Sequence, residues 1–187
     1  MAHDANETRR RILEAATAEF SARGLAGARV DRISAAAGCS KERLYAHFGD
    51  KEALFTTVLN LSFADLGAAA AVPYASAEEF AVALFDHLAE HPENHRLLSW
   101  ARLEDTHDWQ ASFAVLQETR DASIDQLDRV GAVRATPWGG DDLFAVLLSI
   151  ASAWVQLPGL EGAPTATTGR DEQREIVREA VRRLVRG

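Results

Sequence analysis

Apolar residues recur at helical spacing along most of the chain, and no segment of strand length alternates between apolar and polar positions. Ile12, Ala16 and Phe20, for example, follow one another every four residues and would form one buried stripe of a first helix. The pattern therefore predicts an all-α protein. Its helices are expected near residues 8–23, 30–37, 41–48, 51–71, 76–91, 93–106, 109–131, 140–157 and 171–186.

The predicted helix ends rest on residues that start or stop helices. Thr8, Ser40 and Asp50 can each cap an N-terminus, and Gly24 is a natural stop for the first helix. Residues 158–169 hold three glycines and two prolines and are predicted to form a loop.

Two of the predicted helices, 30–37 and 41–48, are short and are joined by a tight turn at Gly38-Cys39-Ser40, the layout of a helix-turn-helix. The run GCSKERLYAHFGDKEAL, which begins at Gly38, resembles the DNA-binding region of the TetR (tetracycline-repressor-like) family. The family pattern is a glycine turn, a Leu-Tyr-x-x-Phe recognition helix and a Lys-Glu pair that opens the next helix. The resemblance covers roughly residues 8–59.

Two departures from the family pattern limit what the resemblance implies. Glu42-Arg43 stands where the family commonly has Gly-Thr, and Ala28-Arg29 stands where a Thr-Thr pair often caps the second helix. The fold is still expected to hold, but the family's DNA sequence preference does not transfer to this chain.

The helix period places the side chains of the recognition helix without reference to the family. Leu44 and Phe48 fall on one side and are expected to be buried, so Glu42 and Ala46 point directly away from the protein. Arg43 and Tyr45 lie on the flanks, whereas Lys41 and His47 lie nearer the protein body, where they suit phosphates. The resemblance implies similar roles for Tyr45, His47 and Lys51. The candidate DNA-binding residues are Arg9, Arg10, Arg29, Lys41, Glu42, Arg43, Tyr45, Ala46, His47 and Lys51.

Two of these residues keep alternative interpretations. Glu42 could accept a hydrogen bond from cytosine N4, or it could bend back to Arg43 or to an arginine of the first helix. Arg10 could meet phosphate, or it could form a surface pair with Glu14.

Charge limits the kind of nucleic-acid contact. The net charge of −8 argues against a protein that coats nucleic acid. Residues 1–59 carry nine Lys and Arg against eight acids, whereas the rest of the chain carries eleven against twenty. This asymmetry favours a small, local contact near the N-terminus.

Further features bear on location and redox state. The N-terminus lacks the basic and apolar regions of a signal peptide, and no apolar run is long enough to suggest a membrane span, so a cytoplasmic protein is expected. The single cysteine, Cys39, excludes an intrachain disulfide and is expected to be a buried, inert thiol. No cofactor is predicted.

The larger C-terminal part offers candidate ligand and dimer contacts. Aromatic side chains in the middle helices could fill a core or line a ligand cavity, and the resemblance implies that such a cavity exists. These are Phe85, Trp100, Trp109 and Phe113. Helix 140–157 is apolar almost all round, so it is expected to form, together with the last helix, a four-helix contact across a two-fold axis, as the resemblance also implies. The candidate interface residues are Phe144, Leu148, Ala151, Val155, Val177, Val181 and Leu184.

Two weaker patterns suggest other chemistry. His87, His91 and His95 have the spacing of metal ligands on one helix, but Pro92 interrupts it, so a polar helix-corner cluster is favoured and no metal is predicted. Glu104 lies near other carboxylates, but no nucleophile or phosphate loop accompanies them, which argues against an enzyme.

The sequence thus predicts a DNA-binding domain at 1–50 followed by a ligand-binding and dimerisation domain at 51–187. The expected protein is a homodimeric transcriptional regulator, most simply a repressor, that binds a near-palindromic operator and is released by a small-molecule effector. The alternative is a helical ligand-binding or enzymatic protein in which the N-terminal helices are only structural.

Overall fold

The structure, a computed structural model, describes residues 2–104, 110–156 and 169–186, with the backbone alone at 2–4 and 110–113. Within these ranges all regular structure is helical, which confirms the predicted all-α fold. The helices are α1 (Ala2–Gly27), α2 (Val30–Ala37), α3 (Lys41–Phe48), α4 (Lys51–Ala71), α5 (Ala77–Glu90), α6 (Pro92–Leu103), α7 (Gln110–Arg129), α8 (Gly140–Gln156) and α9 (Arg170–Arg186).

Both ends of the first helix differ from the prediction. Helix α1 begins at Ala2, so Thr8 is a buried residue inside the helix and not its cap. Gly24 does break the helix, with φ 65° and ψ −177°, but a further helical turn follows and ends at Gly27. This backbone conformation is essentially restricted to glycine.

The chain folds into two compact units, each formed by two segments that are separate in sequence. Unit 1 comprises Met1–Phe63 and Glu93–Phe113, and unit 2 comprises Ala64–Pro92 and Ala114–Gly187. Unit 1 includes the first half of α4 because Leu54 and Phe55 are buried there, and it includes most of α6, where Leu97 is buried.

Aromatic and aliphatic side chains from α1 and α4 form the core of unit 1. The rings of Phe20 and Phe55 meet edge to face with centroids 4.8 Å apart. Ile12, Ile33 and Leu44 are fully buried, so α1, α2 and α3 each place their apolar face inside. Among the described helices, α4 is the one with the length and composition to cross a membrane, and its Leu54, Phe55 and Val58 are buried in the core of unit 1.

Helix α5 lies at the centre of unit 2, where it packs against α8 and α9. Its Phe80 and Phe85 are almost fully buried, and Phe85 meets Trp154 of α8 edge to face at 5.8 Å. Arg170 of α9 donates to the carboxylate of Glu90, at 2.8 Å, and so links α9 to the end of α5.

Three of the predicted dimer contacts belong to this core. Ala151, Val177 and Val181 have no exposed surface within a single chain, because α5 packs against both α8 and α9. They therefore cannot form a surface for a second subunit. The remaining candidates, Phe144, Leu148, Val155 and Leu184, are partly buried against the same core.

Candidate nucleic-acid interface

The turn between α2 and α3 is formed by a C-terminal cap on α2 and an N-terminal cap on α3, as predicted. Gly38 adopts the left-handed conformation, with φ 62° and ψ 40°, and ends α2. The Ser40 hydroxyl accepts a hydrogen bond from the backbone N–H of Arg43 at 3.2 Å and caps α3. Asp50 caps α4 in the same way, accepting from the Ala53 N–H at 2.7 Å. The predicted bounds of α2 and α3 and both predicted caps are confirmed.

Helix α3 presents the two faces that its period predicts. Leu44 and Phe48 are buried against the rest of unit 1. Glu42, Arg43, Tyr45 and Ala46 are exposed, and Tyr45 retains 41% of its surface. Lys41 is exposed and His47 is half-buried. The outward face of α3 is thus a polar and aromatic surface, and the opposite face is a packed apolar one.

The N-terminus of α2 is capped by Glu19 of α1, a residue that the sequence analysis missed. Arg29, at the cap position of α2, makes no side-chain capping bond. Its backbone N–H instead donates to the Glu19 carboxylate at 3.0 Å, and Arg32 donates to the same oxygen at 2.7 Å. The Glu19 side chain is only 10% exposed. Burial raises its pKa, but these hydrogen bonds and the charges of Arg32 and Arg23 outweigh burial, so the pKa lies below its ordinary value.

The last turn of α1 is held by two charged side chains from distant parts of unit 1. The Glu104 carboxylate accepts from the N–H groups of Leu25 at 2.8 Å and Ala26 at 3.0 Å. Lys51 donates through Nζ to the carbonyl of Leu25 at 2.9 Å and to that of Ala28 at 3.5 Å. These bonds satisfy backbone groups that the break at Gly24 leaves without helical partners.

This arrangement changes the roles expected for two sequence candidates. Lys51 was expected to contact phosphate, but its ammonium lies against backbone carbonyls and is partly buried. Glu104, whose neighbouring carboxylates could have suggested acid–base chemistry, caps a helical turn. Both act in the support of the helix-turn-helix.

The other predicted cations of unit 1 have different partners. Lys41 pairs with Asp31 of α2, which raises the pKa of the lysine. Arg10 pairs with Glu7 at 2.6 Å and also with Glu14, so the predicted surface pair is present.

Arg9 lies beside α3. Its guanidinium stands over the ring of Phe48 at 5.1 Å from the centroid, which is cation–π geometry. The same ring closes the apolar face of α3, so Arg9 is placed at the C-terminal turn of the recognition helix. Arg29 is exposed at the start of α2.

The pKa of Glu42 lies below its ordinary value, because its own backbone N–H and the hydroxyl of Ser40 stabilise the charged carboxylate. The negative charge therefore lies at the N-terminus of α3, where the helix dipole favours an anion.

The predicted ligand residues occupy different environments. Trp100 lines a groove of about 900 Å³ between α1 and α6 within unit 1, and its indole N–H donates to the carbonyl of Ser21 at 3.1 Å. Phe85 belongs to the core of unit 2. Trp109 lies outside the described residues, and so does the side chain of Phe113.

Cys39 is half-buried in the turn before α3, so the expectation of a buried thiol is only partly met. The structure also brings His87 and His91 together at the end of α5, where Asp65 of α4 joins them.

Similarity to known proteins covers both units. The family description "Bacterial regulatory proteins, tetR family" matches residues 12–58. The description "Tetracyclin repressor-like, C-terminal domain" matches residues 77–183. The first match includes α2, α3 and both of their caps, and the second spans α5 to α9.

Individual relatives agree with these matches. The HTH-type transcriptional repressor SCO4008 of Streptomyces coelicolor is 34% identical over an alignment that covers 98% of each chain. The crystal structure of the transcriptional regulator SCO4942, also from Streptomyces coelicolor, is 34% identical, covers 94% of this chain and 97% of its own, and superposes with a TM-score of 0.79. The regulator PfmR of Thermus thermophilus, at 21% identity and 96% coverage of both chains, shares the fold with a TM-score of 0.68.

Proposed function

Because the chain belongs to the TetR family of bacterial regulatory proteins, we propose that it is a transcriptional repressor whose helix α3 enters the major groove of an operator. The observation that carries this proposal is that α3 has one buried face and one exposed face. Leu44 and Phe48 anchor it to unit 1, while Arg43, Tyr45 and Ala46 stand on the exposed side. The regulators among its relatives also argue against an enzyme, and a DNA-binding regulator acts in the cytoplasm.

The proposed DNA contacts follow from exposure and charge. Residues on or beside α3 would meet base edges and phosphates, and Arg29 would meet a phosphate from the start of α2. They are Arg9, Arg29, Lys41, Arg43, Tyr45, Ala46 and His47. Arg10 is left out because it lies on α1 and pairs there with Glu7, and Lys51 because its ammonium donates to backbone carbonyls. Lys41 is kept although it pairs with Asp31, because it lies on α3 itself and its side chain is half exposed.

Selection of genomic fragments by the purified chain, followed by titration at several salt concentrations, tests this function. Arg43→Ala should weaken binding, and removing one phosphate contact in each half-site should reduce the salt slope by about 0.9 per half-site. Arg10→Ala is the matched control, because Arg10 is an exposed arginine that lies on α1 and not on α3. Equal behaviour of the two variants would remove α3 from the interface, and failure to select any fragment would refute DNA binding.

Glu42 is proposed to stay at the start of α3 and to make no base contact. Its own N–H and the Ser40 hydroxyl stabilise the charged carboxylate at this position, and reaching cytosine N4 would give up that stabilisation. Glu42→Gln should then raise affinity uniformly, because a charge that repels phosphate is gone. If the variant instead loses about 1–3 kcal/mol of discrimination at one cytosine per half-site, Glu42 reads that base.

The proposed repressor is a homodimer, because a near-palindromic operator needs two recognition helices about one DNA turn apart. We place the contact on the solvent side of α8 and α9. Ile176 supports this because it is apolar and 43% exposed on α9. Glu179 and Arg183 line the same shallow groove, so the patch carries both signs of charge and can complement itself. Of the sequence candidates, Phe144, Leu148, Val155 and Leu184 remain.

A small-molecule effector is proposed to bind the groove beside Trp100. Its volume of about 900 Å³ is within the range of small-molecule sites. A compound that releases operator DNA should also change tryptophan emission over the same concentration range. Trp100→Phe should remove most of that change, whereas Trp138→Phe, on the exposed Trp138, should keep it. Release without any difference between the variants would place the effector elsewhere.

A further inference from the structure

Helices α4 and α5 bring two imidazoles and a carboxylate together in unit 2. The potential ligand atoms of Asp65, His87 and His91 all lie within 4.8 Å of one another. His87 Nε2 is 3.5 Å from a carboxylate oxygen of Asp65, and the two imidazole centroids are 4.8 Å apart. We propose that this cluster binds a divalent transition-metal ion of the Zn²⁺ class.

The helix period explains why the two histidines meet. Residues four apart lie on the same side of a helix, one turn from each other. His87 lies in the last turn of α5 and His91 is its C-cap residue, with φ −124° and ψ 59°. Because the chain leaves the α5 helix at His91, the third histidine of the sequence pattern, His95, is not part of the cluster, and Asp65 supplies the third ligand.

The spacing is close to what a zinc ion needs. Zinc binds imidazole nitrogen and carboxylate oxygen at about 2.0–2.2 Å, so two tetrahedral ligands are about 3.4 Å apart. The pair of His87 and Asp65 already has this separation, at 3.5 Å. The other ligand atoms, which lie within 4.8 Å of one another, would have to move closer to reach it. The Asp65 side chain is 53% exposed and can move without disturbing the core.

The donor set also matches zinc chemistry. Two neutral imidazoles and one carboxylate are ligands that zinc prefers, and three protein ligands leave a fourth position for water. The side chain of His87 is 10% exposed, whereas Asp65 is open to solvent, so an ion could enter from the Asp65 side and remain partly shielded by the imidazoles. The cluster is therefore accessible to an ion from solvent and would partly shield the ion once it is bound.

The position of the cluster gives the ion a structural consequence. Unit 2 includes the segment Ala64–Pro92, with Asp65 near its start and His91 near its end. An ion bound to both residues would tie together the two ends of this segment. It would thereby fix α4 against α5 within unit 2 and raise the thermal stability of that unit.

The test uses the untagged full chain, stripped of metal with a chelator and then titrated with Zn²⁺ and, separately, with Co²⁺. We expect one ion per chain, a rise of the melting temperature with Zn²⁺, and visible absorption bands of ligated Co²⁺. His91→Ala and Asp65→Asn should each weaken Zn²⁺ binding at least about tenfold, since even lost partners of ligands cost about 10–100-fold. His95→Ala is the matched control and should bind like the wild type.

Asp65→Asn protects the test against misfolding, because it keeps the shape of an exposed side chain and removes a ligand charge. The proposal is overturned if Zn²⁺ leaves the melting temperature unchanged, or if all three variants, including His95→Ala, respond as the wild type does. No readout involves DNA, so a negative result here leaves the proposed repressor intact, and a failure of DNA binding leaves the metal site intact.

Discussion

Replacing Glu19 tests whether the helix-turn-helix depends on a cap from α1. Glu19→Ala removes the carboxylate that accepts from the Arg29 N–H at 3.0 Å and from Arg32 at 2.7 Å. Loss of an N-cap costs about 0.5–2 kcal/mol. Arg32 and Arg23 are themselves well exposed, so each ion pair adds about 0–1 kcal/mol. We therefore expect a loss of about 2 kcal/mol in the free energy of unfolding.

Urea denaturation followed by circular dichroism measures this loss, and operator titration of the same samples measures its effect on DNA binding. Glu14→Ala is the control, because Glu14 also pairs with an arginine of α1 but its side chain is 62% exposed. The control should lose about 0.5 kcal/mol or less. Glu19→Gln keeps an acceptor for the Arg29 N–H but no charge, so it should lose about 1 kcal/mol.

The pH dependence of stability tests the role of Glu19 independently. Because the pKa of Glu19 in the folded chain lies below its ordinary value of 4.5, its stabilisation is present above that value and is lost as the pH falls through the folded pKa. The stability gap between the wild type and Glu19→Gln should therefore be constant near neutral pH and close below about pH 4.5. A Glu19→Ala variant no less stable than Glu14→Ala would refute the reasoning, and so would a gap that does not close in acid.

The remaining predictions concern the α1 turn and the two faces of α9. Gly24→Ala should lower the free energy of unfolding by well over the roughly 1–2 kcal/mol that a left-handed backbone costs, because the added Cβ would also lie 2.7 Å from Trp100. Thermal melting measures this loss, and a melting temperature equal to that of the wild type would contradict the tight fit. Lys51→Met should lower the free energy of unfolding by about 1–2 kcal/mol and leave the salt slope of DNA binding unchanged. A smaller salt slope at unchanged stability would instead identify Lys51 as a phosphate contact. Val181→Glu should unfold unit 2, whereas Ile176→Glu should stay folded and sediment as a monomer; a dimeric Ile176→Glu would place the interface elsewhere.

The sequence by itself determined the parts of this protein that rest on short-range interactions. The bounds of α2 and α3 follow from the apolar period together with Gly38 and Ser40, whose bonds join residues a few positions apart. The same period identified Leu44 and Phe48 as the buried side of α3. Because these interactions are local, they can be predicted before any tertiary contact is known, and so can membership of the family.

Only the tertiary structure decided which element meets each helix face. Glu19 accepts from the N–H of Arg29, the cap residue of α2, and Glu104 accepts from two N–H groups in the last turn of α1. No local pattern marks either residue, because Glu19 lies 10 residues and Glu104 lies 78 and 79 residues from its partners in sequence. The period of α9 shows that Val177 and Val181 share a face, but it cannot show whether that face meets α5 or a second chain. Packing assigned it to the core of a single chain, because α5 supplies the apolar surface that covers it.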